Sequence, residues 1–223
     1  MIVVARGVLS SAELTELRAL LAAARFSDGA ASAIGAAKSV KRVSQLDREG
    51  DGQREAGELV ARALLRNAVV QGAVFPKSIR HPTINRYEAG MEYGPHLDLP
   101  LMLGAVPTRA DVSATLFLSE PESYEGGELS VHCDTLPSDF KGQAGDAILY
   151  PSDSIHRVKA VRSGTRLVAV TWFQSLFRDA AQRKILFDLG QALAAFEAES
   201  KDADALLKLR AAYQNLQRRW LEV

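Results

Sequence analysis

Apolar positions recur every three or four residues near the start of the chain, every two through its middle, and every three or four again towards its end. Leu14, Leu17, Leu20 and Leu21 share one face of a helix over 12–21, with Ser10 or Ser11 as N-cap and Glu13 early in the first turn. A short β-rich run over 2–5 precedes it. Leu59, Ala63, Leu64 and Leu65 give a second helix over 55–67. Both helices read as support packed against a sheet. Between them, 27–52 is rich in Gly, Ala, Ser, Lys and Asp and reads as irregular, with one short strand near 41–43.

After Pro76 the pattern changes to short strands, expected over 82–87, 111–119, 128–131, 147–151, 156–161 and 166–174. Gly126-Gly127, Pro137-Ser138, Gly142, Gly145-Asp146 and Ser163-Gly164-Thr165 punctuate them as turns. Many short strands about a dozen residues apart predict an antiparallel barrel or jelly roll. Beyond Phe177 helical spacing returns. Ile185, Leu186, Leu189, Leu193 and Phe196 form one stripe over 179–199, and Leu206, Leu207, Leu209, Tyr213, Leu216 and Trp220 mark 202–221. These two segments predict a helical hairpin that either closes one end of the barrel or forms a homodimer contact. The fold class is therefore α+β, with an expected division into an N-terminal helical support region over 1–76, a jelly-roll core over 77–177 and the hairpin over 178–223.

Composition narrows the picture. The 223 residues suit one domain, and 27 Lys plus Arg balance 27 Asp plus Glu, leaving no global field to draw a polyanion. No nucleic-acid partner is expected. The single cysteine, Cys133, fits a reducing compartment and reads as a buried or semi-buried thiol without a role. Neither a secretory leader nor a run of ~20 apolar residues is visible, so a cytoplasmic protein without a membrane span is expected.

The candidate chemistry centres on His96-Leu97-Asp98, within Tyr87-Glu88-Ala89-Gly90-Met91-Glu92-Tyr93-Gly94-Pro95-His96-Leu97-Asp98. Residues two apart on extended backbone project to the same side. An imidazole and a carboxylate aimed at one point supply two-thirds of a facial triad for ferrous iron, so a second histidine is needed. The chain has four: His81, His96, His132 and His156. His156 enters an expected strand 58 residues after Asp98, and Arg166 opens the last strong strand. His81 and His132 read as structural or surface residues. Trp172 and Phe173 read as core or pocket lining on alternate faces, and Gly126-Gly127 as the turn before a strand.

The ordered set Tyr87-x-x-Gly90, His96-x-Asp98, Gly126-Gly127-Glu128-Leu129, Gly145-Asp146, His156 and Arg166 resembles the iron(II)/2-oxoglutarate-dependent dioxygenases. It is most similar to bacterial PKHD-type (prolyl/lysyl-hydroxylase-like) hydroxylases linked to iron uptake. The resemblance implies a double-stranded β-helix of jelly-roll or cupin-like form. It also implies His96, Asp98 and His156 as ligands of Fe(2+), and Arg166 as the partner of the distal carboxylate of 2-oxoglutarate. Tyr87 is the candidate hydroxyl donor beside Arg166, with Thr115 and Tyr150 as alternatives, because the chain reads Leu116-Phe117 where animal prolyl hydroxylases carry a tyrosine. The implied reaction hydroxylates a small-molecule or peptidyl substrate with O2 and releases succinate and carbon dioxide, with L-ascorbate keeping the iron ferrous. Two other readings stay open: a cupin-like metalloenzyme that uses no 2-oxo acid, and a non-catalytic iron or 2-oxoglutarate sensor. The segments 27–52 and 99–109 are where substrate specificity, and a lid, are expected.

Overall fold

The computed structural model describes residues 1–32, 35–47, 51–104, 107–133 and 136–222. The expectation for the Cys133 thiol falls outside the described side chains.

Two antiparallel sheets pack face to face as a jelly roll. The larger runs in the order Val3–Ala5, Ala147–Pro151, Val112–Phe117, Arg166–Ser175, Thr83–Tyr87, Ser44–Leu46 and Phe26–Asp28, and Pro76–Ile79 also pairs with Arg166–Ser175. The smaller runs Leu136–Phe140, Leu129–Cys133, His156–Val158, Glu92–His96 and Lys41–Arg42.

Period-two alternation sorts the central strands into two cores. From Ala147–Pro151, Ala147 and Leu149 face the helices, whereas Ile148 and Tyr150 face the space between the sheets. From Arg166–Ser175, Ala169 and Phe173 join the helix side while Val168 joins the inter-sheet side. Both faces are buried, which is why these strands read as nearly continuous apolar runs.

The helix side is covered by α1 (Ser11–Ala22), α3 (Asp51–Arg66) and α4 (Ala68–Val74), with the short α2 (Ala36–Ser39) elsewhere in the N-terminal region. A capping box starts α1: Ser10 Oγ accepts from Glu13 N at 3.3 Å, and Glu13 Oε2 accepts from Ser10 N at 2.9 Å. Leu14, Leu17 and Leu21 are its buried stripe.

The structure sharpens the sequence reading at both ends of the chain. The segment 27–52 is not irregular throughout: Phe26–Asp28 and Ser44–Leu46 extend the larger sheet, and Lys41–Arg42, where a short strand was expected, edges the smaller one. Strands this short carry no periodic signal and exist only because a sheet edge accepts them. The expected boundary at 76/77 falls at the start of strand Pro76–Ile79. The C-terminal helices α5 (Ala180–Glu199) and α6 (Ala203–Trp220) form the hairpin, but α5 buries only Arg183 and Leu186, and α6 buries nothing fully. Ile185 and Phe196, placed on the expected stripe, are exposed. No helix among the described residues is long and apolar enough to cross a membrane.

Candidate active site

Sheet register joins the two ends of the motif. His96 closes strand Glu92–His96, His156 opens strand His156–Val158, and the two residues are direct cross-strand partners. Their ring centroids lie 4.2 Å apart. The backbone leaves the strand after His96, yet the alternation persists: Leu97 is exposed while the Asp98 side chain is buried. His156 Nε2 lies 3.7 Å from Asp98 Oδ2, and the ligand atoms of His96, Asp98 and His156 all lie within 4.8 Å of one another.

Each donor is oriented by a hydrogen bond. His96 Nδ1 lies 2.8 Å from Gly94 O, and His156 Nδ1 lies 3.0 Å from Ser154 O. A carbonyl only accepts, so both rings carry the proton on Nδ1 and offer the Nε2 lone pair to the cluster. Ser113 Oγ donates to Asp98 Oδ2 at 2.6 Å and is itself 2.8 Å from Ser152 Oγ. Tyr93 stacks on His96 at 3.6 Å between centroids. Burial, then the neighbouring His156, push the His96 pKa down to about 4, which keeps the ring neutral and able to ligate near pH 7.

The triad faces a cavity of about 290 Å³ between the sheets. At its far end stands Arg166, fully buried, with Nε, Nη1 and Nη2 all lacking a hydrogen-bond partner among the described residues. The guanidinium lies 5.0 Å over the Tyr87 ring and 5.9 Å from that of Phe117. Gly127 makes room for it: a methyl there would sit 2.9 Å from Arg166 Cδ and 2.9 Å from Val161 Cγ2, on a backbone at φ +66°. A buried cation without an anion costs several kcal/mol, so a site built this way calls for an anionic ligand.

Comparison with known proteins gives the family of the chain. The 2OG-Fe(II) oxygenase superfamily profile matches residues 82–174, and the PKHD-type hydroxylase C-terminal domain matches 180–222. The chain is 44% identical to a PKHD-type hydroxylase of Crocosphaera subtropica over 100% of both chains. It is 45% identical to one of Acaryochloris marina over 96% of this chain and 97% of that one.

The chain belongs to the PKHD-type hydroxylase family.

Solved structures share its fold at lower identity. A Pseudomonas putida prolyl-4-hydroxylase has a TM-score of 0.53 at 20% identity, covering 78% of this chain and 92% of that one. A Trichoplax adhaerens prolyl hydroxylase solved with a hypoxia-inducible-factor peptide has a TM-score of 0.57 at 16% identity, covering 83% and 86%. Membership makes this protein an oxygenase that uses Fe(2+) and 2-oxoglutarate. Two neutral imidazoles and a carboxylate are the donor set such enzymes use for ferrous iron, leaving other positions open. The orphaned Arg166 fits the cosubstrate's second carboxylate.

The cavity also gathers Tyr87, Thr115 and Tyr150, the three hydroxyl candidates. Tyr87 is the register partner of Arg166 and presents its ring face to the guanidinium. Tyr150 is hydrogen-bonded to Thr115, and burial raises its pKa well above the usual tyrosine range. His81 and His132 are exposed and outside the cavity, as expected. Trp172 lines the cavity while Phe173 is buried on the helix side. Sequence reasoning missed Ser113 and Ser152, which steady Asp98, the stacking Tyr93, and Lys41 and Arg80, which also line the cavity. Only the alternation of Ser113 with Ala114 in a strand could have pointed inward.

Proposed function

We propose that this protein hydroxylates an organic substrate with His96, Asp98 and His156 holding ferrous iron and Arg166 receiving the distal carboxylate of 2-oxoglutarate. The observation that carries this reading is the fully buried, unpartnered Arg166 sharing one cavity with the triad. Iron with 2-oxoglutarate supplies the oxygen chemistry, with release of succinate and carbon dioxide. The chain's own residues orient and exclude. The Gly94 and Ser154 carbonyls fix the two histidine tautomers, and Ser113 holds Asp98 at the metal position. Tyr87 backs Arg166 with its ring face. Val158, Val170 and Leu129 line the cavity and limit water around the reacting groups.

The cupin-like reading without a 2-oxo acid gives Arg166 no ligand, and the sensor reading gives the metal positions no chemistry. The family name supports a prolyl- or lysyl-type substrate. Ascorbate as reductant and a link to iron uptake rest on the family resemblance. A cytoplasmic location rests on cysteine usage. Exposed Ile185, Phe196, Leu207 and Leu209 support a homodimer contact through α5 and α6.

Anaerobic titration with iron and then 2-oxoglutarate, followed by absorbance, tests the assignment. His96→Ala and Asp98→Ala are expected to lose metal binding. Arg166→Ala is expected to keep iron and to weaken 2-oxoglutarate binding by roughly a hundredfold or more, the scale of losing a buried charge-assisted pair. Undiminished succinate formation in all three variants overturns it.

A further inference from the structure

The end of the cavity opposite Arg166 carries its own cationic apparatus. Arg80 follows strand Pro76–Ile79; its backbone N donates to Trp172 O at 2.8 Å, and the Thr171 hydroxyl donates to Arg80 O. The backbone at this position is therefore fixed. The guanidinium extends over Gly104, where a methyl would lie 1.9 Å from Arg80 Nη1. It makes no hydrogen bond or ion pair with any described residue, although it lines the cavity. Beside it, Trp172 Nε1 is buried and also lacks a partner among the described residues. From the other sheet, Lys41 brings a second cation, with Nζ donating to Ser32 Oγ at 2.6 Å and standing 5.2 Å from the Tyr93 ring centre.

Among the described lining residues the only carboxylate is Asp98, already held by Ser113 within the triad. The remaining mouth residues include Leu99, Met102 and Leu103. We infer that this mouth is a substrate subsite for an organic acid with an apolar body, its carboxylate taken by the Arg80 guanidinium and the Trp172 indole N–H. The inference rests on reading the cavity as the oxygenase site and adds the chemical class of the substrate. An acid leaving water recovers charge-assisted hydrogen bonds here. A primary amide still accepts from the Trp172 N–H through its carbonyl but brings no negative charge to Arg80, and an ammonium is repelled by Arg80 and Lys41. The acidic group and the apolar body would together point the substrate's carbon skeleton from the mouth towards the triad.

Trp172 is itself the reporter, because the chain holds two tryptophans and Trp220→Phe leaves it as the sole indole. With zinc in place of iron and 2-oxoglutarate at saturation, octanoate and N-acetyl-leucine are titrated against their primary amides while Trp172 emission is followed. The acids are expected to bind roughly tenfold or more tightly than the amides, a difference of one strong charge-assisted contact. Arg80→Gln is expected to erase that preference and Arg80→Lys to restore part of it. Acids binding no better than amides, or an unchanged preference in Arg80→Gln, overturns the subsite. Retained 2-oxoglutarate binding in Arg80→Gln shows that the variant is folded. Loss of 2-oxoglutarate binding on Arg166→Ala separates failure of the mouth subsite from failure of the oxygenase reading itself.

Discussion

The two ends of the cavity each present an arginine, and they are built on different terms. Arg166 opens the buried strand Arg166–Ser175, faces the Tyr87 ring, is given its room by Gly127 and is fully enclosed. Arg80 sits just past a strand end, half-buried, with a mouth hairpin (Leu101–Met102 paired with Thr108–Arg109) beneath it. The enclosed end suits a cosubstrate of fixed shape, since its donors are held in place before the ligand arrives. The open end tolerates more variation because loops carry it. A rigid floor with an adaptable mouth lets one scaffold keep its oxygen chemistry while its substrate changes.

The sharpest way to break this contrast is Arg166→Met. If the enclosed end is kept at the expense of stability, the variant loses 2-oxoglutarate binding by roughly a hundredfold or more, yet unfolds at a higher temperature in the absence of ligands. Replacing a buried, uncompensated charge by a side chain of similar volume is worth about 1–4 kcal/mol. Thermal melts of the two ligand-free proteins decide it: a lower melting temperature in the variant means that Arg166 is paid for locally by the rings of Tyr87 and Phe117.

A smaller effect is expected from Gly127→Ala, which touches only the wall behind Arg166. The added methyl crowds Arg166 Cδ at 2.9 Å and must adopt φ +66°. Calorimetry is expected to show 2-oxoglutarate binding weakened about tenfold, with a stability loss of about 1–2 kcal/mol from strain and overpacking. Acid preference at the Arg80 end should not move, and if it does, the two ends are not independent.

The smallest effect lies outside both ends. Glu13 is held down to about 2 by Arg66 and by the Ser10 hydrogen bonds. Its folded pKa is below the ordinary 4.5, so its contribution is complete above pH 4.5 and drains away as pH falls towards 2. Glu13→Ala is expected to cost about 1 kcal/mol near neutral pH through loss of the capping box. The difference from the parent protein should shrink in urea melts taken below pH 4.5. Neither 2-oxoglutarate nor acid binding should respond.

Much of this was legible in the chain. Ser10 and Glu13 announced α1, the runs around Val112–Phe117 and Arg166–Ser175 announced the central strands, and His96, Asp98, His156 and Arg166 stood out by type and order. What stayed hidden was whatever depended on a neighbour distant in sequence. Phe26–Asp28 and Ser44–Leu46 are strands only because open sheet edges lie beside them. Ser113 looks like any polar residue in a strand until Asp98 is placed against it. The apolar stripe of α5 left open what covers it, and within the chain α5 buries only Arg183 and Leu186.

By itself the sequence determined the residue types able to ligate iron and to meet a carboxylate, and the alternation that turns Arg166, Val168, Val170 and Trp172 to one side of their strand. These are local properties, set by side-chain chemistry and the two-residue repeat of extended backbone. Only the tertiary structure decided that His96 and His156 are register partners, that Arg166 meets no carboxylate among the described residues lining its cavity other than Asp98 of the triad, and that Arg80 and Trp172 stand together at the mouth. Those depend on which strands pair and in what register. Pairing is settled by burying two cores at once, which no single stretch of chain encodes.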